Sequence, residues 1–477
     1  MYDVAIIGGG ITGSATAYYL SRYRLKIALL EKKNDVCCET TRANSAIIHA
    51  GYDPEPGTLM ARLNVKGSEM AKKLCKKLDV HYKQIGSLVV AFSEEERKTV
   101  ETLYERGNKN GVQGLRIVEK DELKELEPQI SDEAICALYA PTAAIVNPWE
   151  YGLAFAETAV ENGVNVKLNF GVKSITKQDG YWHIESDTQS VDAKFVVNAA
   201  GVDCDEIHNM AAPEKYKVVP SAGEYYLLDK CEGTRANHVI FQCPNKDGKG
   251  VLVAPTVHGN LIVGPNADKR DKHDTSTKAS CLEFVREKAL KSIPTISFRE
   301  NIRNFTGVRA VTDIDDFIIA FAAENFLDLA GIKSPGLSAA PAIALEAVKM
   351  LGEKGLALEE KSAYCDTRKR VRFKELSQEE KNKLIRENPA YGRVICRCET
   401  ITEGEILEAL KSPIPPVSLD GIKRRAGTGM GRCQGGFCGP KVLEIMAKYK
   451  KVPFEDILQD NTGSYILTGE TKCGRDE

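Results

Sequence analysis

The chain begins MYDVAIIGGGITGSATAYYLSRY, and Gly8, Gly10 and Gly13, at G-x-G-x-x-G spacing, restrict its fold more than any other stretch. A short apolar run from Asp3 to Ile7 precedes them, a small-residue helical stretch follows, and a second apolar run, Lys26 to Leu30, ends at Glu31. Each position has a physical task in a strand, turn, helix and strand that cradle a dinucleotide. Gly8 makes the tight turn, Gly10 lets the backbone approach a pyrophosphate, and Gly13 lets the helix lie close on the strand. The pyrophosphate then meets a helix N-terminus carrying about half a positive charge. Glu31, closing the second strand, is placed to accept hydrogen bonds from the adenosine ribose hydroxyls. Three glycines alone are a weak signal; strand, glycines, helix, strand and acid in this order are a specific one.

At 477 residues the chain has room for about three domains and a substantial core. Its 65 basic and 67 acidic residues leave a net charge of -2, which provides no field to draw in nucleic acid or an anionic membrane. The start lacks the basic stretch of a secretion signal, and no apolar run reaches the roughly 18 residues of a membrane span. These features predict a soluble, cytoplasmic protein. Fourteen cysteines in such a chain argue for reduced thiols or metal ligands rather than a disulfide framework. Cys75, Cys136, Cys204, Cys243 and Cys281 are isolated and read as small buried hydrophobes. Cys37 and Cys38 are adjacent thiols with no assigned role.

The fingerprint occurs once, which argues against two Rossmann units binding two nucleotides. Two later segments bear on which nucleotide is bound. AKFVVNAAGVDCDEI, Ala193 to Ile207, is a strand running into Ala-Ala-Gly, and FLDLAGIKSPGLSAAPAIALEAVKML, Phe326 to Leu351, is a strand, a glycine loop and a long apolar helix. The arrangement resembles the glutathione-reductase-type FAD fold, and more narrowly the D-amino-acid-oxidase-like flavoenzymes. The resemblance implies an α/β protein, α+β overall, in which an FAD-binding Rossmann domain carries an antiparallel-sheet substrate domain. It implies cofactor contacts at Gly8, Gly10, Ile11, Thr12, Gly13, Glu31 and Lys32, at Thr41, Arg42, Asn44 and Ser45, at Ala200 and Gly201, and at Gly331, Pro335, Gly336 and Leu337. The expected layout is a flavoenzyme over 1–360, with FAD-binding pieces 1–80, 140–220 and 305–360 and a substrate subdomain from 81–139 and 221–304. A charged connector follows over 361–393, then a small helical domain over 394–458 and a polar tail over 459–477.

Oxidising an alcohol with a flavin requires a base for the hydroxyl proton and an anchor for the substrate. The loop TTRANSAIIHAGYDPEPGTL offers His49 in a polar cluster, and an ordinary imidazole suits a general base at neutral pH. A structural histidine bonded to backbone is the plain alternative, and His238, His258 and His273 are weaker candidates. Arg309 follows an apolar-aromatic run and Gly307, where a guanidinium can grip a carboxylate or phosphate in bidentate fashion. A solvated arginine is the alternative there. NSAIIHAGYDPEPGTLMARL, GEYYLL, VGPNA, GVRAV and DDFII resemble, in the same order, stretches of L-2-hydroxyglutarate dehydrogenases, and FAD-dependent glycerol-3-phosphate dehydrogenases carry a related histidine-glycine loop. The resemblance implies that His49 lies near the flavin, that Tyr225 faces the pocket and that Arg309 holds the anionic end of a small substrate. Lys333 is a second candidate anion contact. Glycerol-3-phosphate dehydrogenases carry an arginine shortly after the loop histidine, where this chain has Gly51-Tyr52-Asp53, a departure that keeps L-2-hydroxyglutarate in view.

Cys396-x-Cys398 and Cys433-x4-Cys438 are of another kind. Two close thiolate pairs can each grip one iron of a [2Fe-2S] cluster, or all four can close around one zinc. Lys423, Arg424, Arg425, Arg397 and Arg432 are placed to offset a cluster's negative charge, and the surrounding glycines let backbone N–H groups reach the sulfurs. CRCETITEGEI and KRRAGTGMGRCQGGFC resemble the bacterioferritin-associated-ferredoxin-like [2Fe-2S] domain, in the version fused behind the flavin domain of anaerobic glycerol-3-phosphate dehydrogenase subunits. That resemblance favours iron–sulfur over zinc. It also implies an FAD-dependent dehydrogenase of a small anionic secondary alcohol, best sn-glycerol 3-phosphate, that passes electrons to a protein acceptor, with a second flavoprotein subunit as one candidate. A non-catalytic electron-transfer subunit is the rival reading, and the His49 loop with Arg309 speaks against it.

Overall fold

The structure, a computed structural model, describes residues 1–244 and 250–469. It falls into two units, residues 1–31 with 36–368, and residues 32–35 with 369 onward.

The first unit is organised by an eight-stranded sheet with a parallel middle. The strand Tyr2–Ile7 pairs in parallel with Ile27–Leu30 on one side and with Ser190–Asn198 on the other. Asn165–Lys167 extends the row past Ile27–Leu30, and Phe326–Ala330 pairs in parallel with the end of Ser190–Asn198. Tyr181–Glu185, Ser174–Gln178 and Ile318–Ala323 add antiparallel edges. Continuous apolar runs suit strands covered on both faces, and Val4 to Ile7 and Ile27 to Leu30 are buried throughout.

Four helices, Ile11–Leu20, Leu59–Lys77, Pro148–Glu161 and Gly336–Glu353, share a core that includes Ala15, Tyr18, Ala71, Leu74, Tyr151, Phe155 and Ala340. Thr58 and Asn147 start two of them by accepting the N–H groups of Ala61 and Glu150. At the turn after Tyr2–Ile7 the backbone itself is the packing surface. Gly8 holds φ at +104°, and a Cβ there would stand 2.4 Å from the Ala199 carbonyl oxygen. A Cβ on Gly13 would stand 1.9 Å from the Gly8 carbonyl oxygen. Helix and turn meet this closely only because both residues lack a side chain.

A nine-stranded sheet forms the other half of the unit. The runs expected to be strands between 221 and 264 appear as Ser221–Leu228, Val239–Gln242, Leu252–Pro255 and Leu261–Gly264, and Ser87–Ala91, Cys136–Ala140 and Arg116–Glu119 continue the same sheet. The pairings among the described residues are antiparallel except one: Val239–Gln242 runs parallel to Ser87–Ala91. The antiparallel pairing that matters most for function joins Ser221–Leu228 to Asn301–Arg309, with Ser221 opposite Arg309, Gly223 opposite Gly307 and Tyr225 opposite Phe305. Of the isolated cysteines, Cys75, Cys136, Cys204 and Cys243 are buried and Cys281 is half-buried.

The second unit is small and helical. Gln378–Glu387 and Glu403–Leu410 each open with a capping box, Ser377 with Glu380 and Thr402 with Glu405. Leu419–Ala426 ends on Gly427 in the left-handed conformation, and Gly439–Lys450 follows Cys438 directly. Ile395, Ile401, Ile406, Leu410, Ile422, Val442 and Met446 make its core, with Cys396 and Cys438 inside it. Part of the expected polar tail, with Cys473, lies outside the described residues. Among the described residues no helix is long and apolar enough to cross a membrane.

The contact at Gly13 makes a direct prediction. A Gly13→Ala chain must move the helix or the turn, at about 1–3 kcal/mol for overpacking against an unyielding surface. Denaturant unfolding should register that loss, and an unchanged midpoint would show that the close approach is not needed.

Candidate active site

The nucleotide cradle is assembled from the residues the fingerprint named. Gly10 precedes the helix Ile11–Leu20 and supplies no side-chain cap. Its hypothetical Cβ would meet only Thr41 Oγ1, at 3.4 Å, so the approach to this helix end is open. Thr41 Oγ1 accepts the Ile11 N–H at 3.0 Å, and Thr12 and Gly13 follow in the first turn. Glu31 is buried, and its Oε2 accepts the Gly9 N–H at 2.7 Å. The carboxylate expected to meet a ribose is thus seen shaping the glycine turn. Ala200 and Gly201 follow the strand Ser190–Asn198, and Gly201, at φ +61°, faces open space. Gly331, at φ +65°, leads into the helix Gly336–Glu353, which starts after Pro335 without a side-chain cap and continues through Leu337. Two uncapped helix ends beside glycines fit a group with a diphosphate and an electron-accepting ring.

The residues near the expected substrate lie on one face of the Ser221–Leu228 and Asn301–Arg309 strand pair. Side chains two apart in a strand share a face, which sets Arg309, Gly307 and Phe305 beside Ser221, Gly223 and Tyr225. The glycines leave a gap in the row. A Cβ on Gly223 would stand 2.2 Å from Arg309 Nη2, and one on Gly307 would stand 1.8 Å from the Ala43 carbonyl oxygen. Arg309 therefore lies across Gly223, and the loop that carries Ala43 lies across Gly307. Thr40 pins that loop by donating to the Val308 carbonyl at 2.7 Å. Asn44 closes it from within, donating to Thr40 and Thr41 carbonyls and accepting the Ala46 N–H. Ser45 Oγ lies 3.1 Å from the Tyr225 hydroxyl, and the buried Tyr225 ring stacks on Phe305 at 4.8 Å.

His49 stands where this loop meets the late glycine loop. Its N–H donates to Ser338 Oγ at 2.7 Å, its Nε2 lies 3.4 Å from Ser334 Oγ, and its ring stacks on Phe241 at 5.7 Å. The Arg309 guanidinium bonds only neutral oxygens, Ser221 Oγ at 3.3 Å and the Asn266 carbonyl at 3.1 Å. No carboxylate among the described residues forms an ion pair with it, so its charge remains for a ligand. Lys333, expected as a second anion contact, instead meets the exposed Asp315 carboxylate at 2.5 Å. Lys32 falls in the stretch counted with the second unit, and the Arg42 backbone N–H bonds the Glu39 carbonyl.

In the second unit the four cysteines approach one another across the sequence. Cys398 Sγ lies 3.7 Å from Cys433 Sγ, and Cys396 shares a hydrogen bond with Cys438. The Cys438 hydrogen bond first, then the backbone N–H groups of Gly429 and Glu399, bring the Cys396 thiol down to about 6 against the effect of burial. Cys433 is lowered first by the Phe437 N–H and also by that of Gly435. Among the described residues no group of three or more His, Cys, Asp or Glu closes on one metal ion. Two thiol pairs with backbone N–H groups aimed at sulfur fit a two-iron cluster better than a single zinc.

The expected role of Arg424 and Arg425 is corrected. Both are buried, and their guanidinium nitrogens lie 2.9 Å and 2.7 Å from Asp35 Oδ2, with Arg424 also 3.0 Å from Asp460 Oδ1. Two guanidinium groups on one buried carboxylate are a structural cluster and leave little charge for a metal centre. Burial alone would raise the Asp35 carboxyl, but Arg425 and then Arg424 outweigh it and hold it below the ordinary value. A carboxylate with a lowered folded pKa adds stability that is complete above roughly pH 4 and drains away as pH falls through the folded value. Asp35→Asn should therefore cost about 3–5 kcal/mol at pH 7 by removing the carboxylate that two buried guanidinium groups share. The gap between parent and variant in thermal or urea unfolding should narrow below pH 4, and a gap that holds constant with pH would contradict this account.

Comparison with known proteins finds a family for each part of the chain. The family profile of FAD dependent oxidoreductases matches residues 3–350, and that of the BFD-like [2Fe-2S] binding domain matches residues 394–448. The chain belongs to the FAD-dependent oxidoreductase family and carries a [2Fe-2S]-binding domain behind the flavoenzyme. It is 49% identical over 476 residues to the glycerol 3-phosphate dehydrogenase of Caloramator mitchellensis, with 99% of each chain covered. It is 33% identical over 291 residues to human mitochondrial L-2-hydroxyglutarate dehydrogenase, covering 56% of this chain and 61% of that one. Among solved structures, the FAD-bound L-alpha-glycerophosphate oxidase of Mycoplasma pneumoniae superposes with a TM-score of 0.73 at 33% identity, covering 77% of this chain and 98% of that one. The protein is an FAD-dependent enzyme, with FAD and a [2Fe-2S] cluster as its cofactors.

Sequence reading did not find Ser221, Gly223, Asn266, Ser334, Ser338, Phe241 or Phe305. Alternation along Ser221 to Tyr225 carried part of the signal, since every second residue shares a face. Which strand lies opposite, and at what register, has no local signature.

Proposed function

We propose that the chain oxidises sn-glycerol 3-phosphate to dihydroxyacetone phosphate and delivers the electrons singly to an acceptor protein. The observation that carries this reading is the half-buried Arg309, held by neutral oxygens only, on the sheet face over which the His49 loop is pinned. Similarity along the whole chain to a glycerol 3-phosphate dehydrogenase supports the choice of substrate.

Bound FAD supplies the two-electron acceptor and the [2Fe-2S] cluster a one-electron outlet. The cradle at Gly8, Gly10, Ile11, Thr12, Gly13 and Thr41, with Glu31 behind it, would hold the diphosphate end. Ala200, Gly201, Gly331, Pro335, Gly336 and Leu337 would hold the ring end. Arg309 binds the substrate phosphate, and Tyr225, fixed by Ser45 and Phe305, closes the wall between anion and alcohol. His49 takes the hydroxyl proton on Nε2, and the Ser334 hydroxyl 3.4 Å away is placed to hydrogen-bond the same nitrogen. Ser338, accepting the His49 N–H, fixes the backbone from which the ring projects. No disulfide joins the described cysteines, which supports a reducing, cytoplasmic setting.

One observation favours a second substrate, L-2-hydroxyglutarate. After His49 the chain brings Tyr52, which is buried, and Asp53, whose carbonyl accepts from Arg106, so this stretch adds no cation to a phosphate site. Anaerobic bleaching of the flavin absorbance by each compound separates the two. Glycerol 3-phosphate should bleach it within the mixing time of a turnover; bleaching by L-2-hydroxyglutarate alone would replace the substrate, and bleaching by neither would discard both. His49→Asn should keep bound flavin and slow bleaching by about 10² to 10⁴-fold, the usual worth of a general base.

Gly223→Ala tests the anchor. The added methyl displaces the Arg309 guanidinium, which should raise KM by about tenfold or more, the worth of a charged hydrogen bond, while kcat changes little. An unchanged KM would remove Arg309 from phosphate binding.

A further inference from the structure

The cysteine site of the second unit is two-sided. Cys396 and Cys438 are buried, whereas Cys398 is exposed and Cys433 half-exposed. Phe437 is 84% exposed, more than any other large apolar side chain among the described residues. It is no remote surface residue, because it stands directly before Cys438 and four residues after Cys433. Gly436, exposed beside it, lets another surface come close to the Cys433 sulfur. Arg397 and Arg432, each next to an outward cysteine, are exposed as well. The neighbouring acid Glu399 is turned inward, buried, with its carboxylate 3.5 Å from Lys374. This edge therefore sets two exposed guanidinium-bearing side chains beside one exposed aromatic ring.

We propose that the edge formed by Cys398, Cys433, Arg397, Arg432, Gly436 and Phe437 is the docking surface for an acidic one-electron carrier protein. Aromatic and arginine side chains are the residue types that anchor protein interfaces. Brief redox encounters bury less than about 1,200 Å² and need only a small centre of this kind, with opposite charge to speed the approach. The carrier covers the exposed side of the site, where one electron at a time passes from the reduced cluster to the oxidised carrier, or back. Phe437 fills a shallow pocket on the carrier, and the two arginines meet its carboxylates. The inference rests on the reading that electrons leave through the [2Fe-2S] cluster.

The test uses the full-length protein loaded with both cofactors and flavodoxin, a small acidic one-electron carrier, as the probe. Calorimetric titration should give an affinity that falls by about tenfold between low and physiological salt, as screening of a charged encounter requires. Phe437→Ala and Arg397→Glu should each weaken it by about tenfold, in the range of interface anchor residues. Reduced flavodoxin mixed anaerobically with the oxidised protein should develop the cluster's electron paramagnetic signal correspondingly more slowly in both variants. Affinity is read per bound cluster, from iron content and the signal after dithionite; if Phe437→Ala loses iron, the salt dependence of parental binding and its preference over basic cytochrome c decide the matter. Parental affinity in the variants, absence of flavodoxin binding, or equal binding of basic cytochrome c would overturn the assignment. The electrons come from flavodoxin, so the outcome is independent of whether glycerol 3-phosphate is the substrate.

Discussion

The flavoenzyme depends on one contact between backbones, where the helix Ile11–Leu20 leaves the strand Tyr2–Ile7. With Gly13 against the Gly8 carbonyl and Gly8 against Ala199, the helix N-terminus stands directly over the ends of two parallel strands. Parallel strands end together at one edge of a sheet, and helix ends gathered there create positive potential without spending a charged side chain. Glu31 stabilises the turn through the Gly9 N–H. Any side chain at Gly13 would lift the helix and widen the cradle, so the geometry of the nucleotide site follows from the absence of two Cβ atoms.

The substrate side uses the same device for another purpose. Gly223 and Gly307 sit opposite each other in paired strands, and the gap they leave takes the Arg309 guanidinium on one side and the Ala43 carbonyl on the other. An arginine lying in a glycine gap keeps its position without a carboxylate partner. A carboxylate partner would neutralise the guanidinium, whereas Ser221 and Asn266 orient it and leave its charge in place. Elsewhere in the chain, buried guanidinium groups are treated oppositely: Arg424 and Arg425 share Asp35. The contrast is between a guanidinium held by neutral oxygens and a pair locked to one buried carboxylate.

Much of this was legible in the residues, and the part that was not has a common cause. The glycine fingerprint, the Glu31 position, the strand into Ala200-Gly201 and the two cysteine pairs all lie within short windows, where local sterics and spacing carry the information. The loop from Thr41 to His49 was recognisable as polar and suited to acid–base chemistry. Its partners Ser334 and Ser338 come nearly three hundred positions later and have nothing local to mark them. Arg424 shows the reverse: a cation near a site in sequence reads as functional until its buried partner, Asp35, is seen, and the Asp315 partner of Lys333 was equally unmarked along the chain.

By itself the sequence determined that a glycine turn suited to a dinucleotide opens the flavoenzyme, that two thiol pairs mark the second unit, and that a histidine and an arginine lie in the segments between. These follow from residue type and spacing over a few turns of backbone. Only the tertiary structure decided that Arg309 keeps its charge for a ligand, that His49 sits between two serines and a phenylalanine, and that one side of the cysteine site faces outward beside Phe437. Each of those depends on the register between distant strands or on which face is buried, and such long-range pairings are fixed by the packing of the whole core, not by neighbours along the chain.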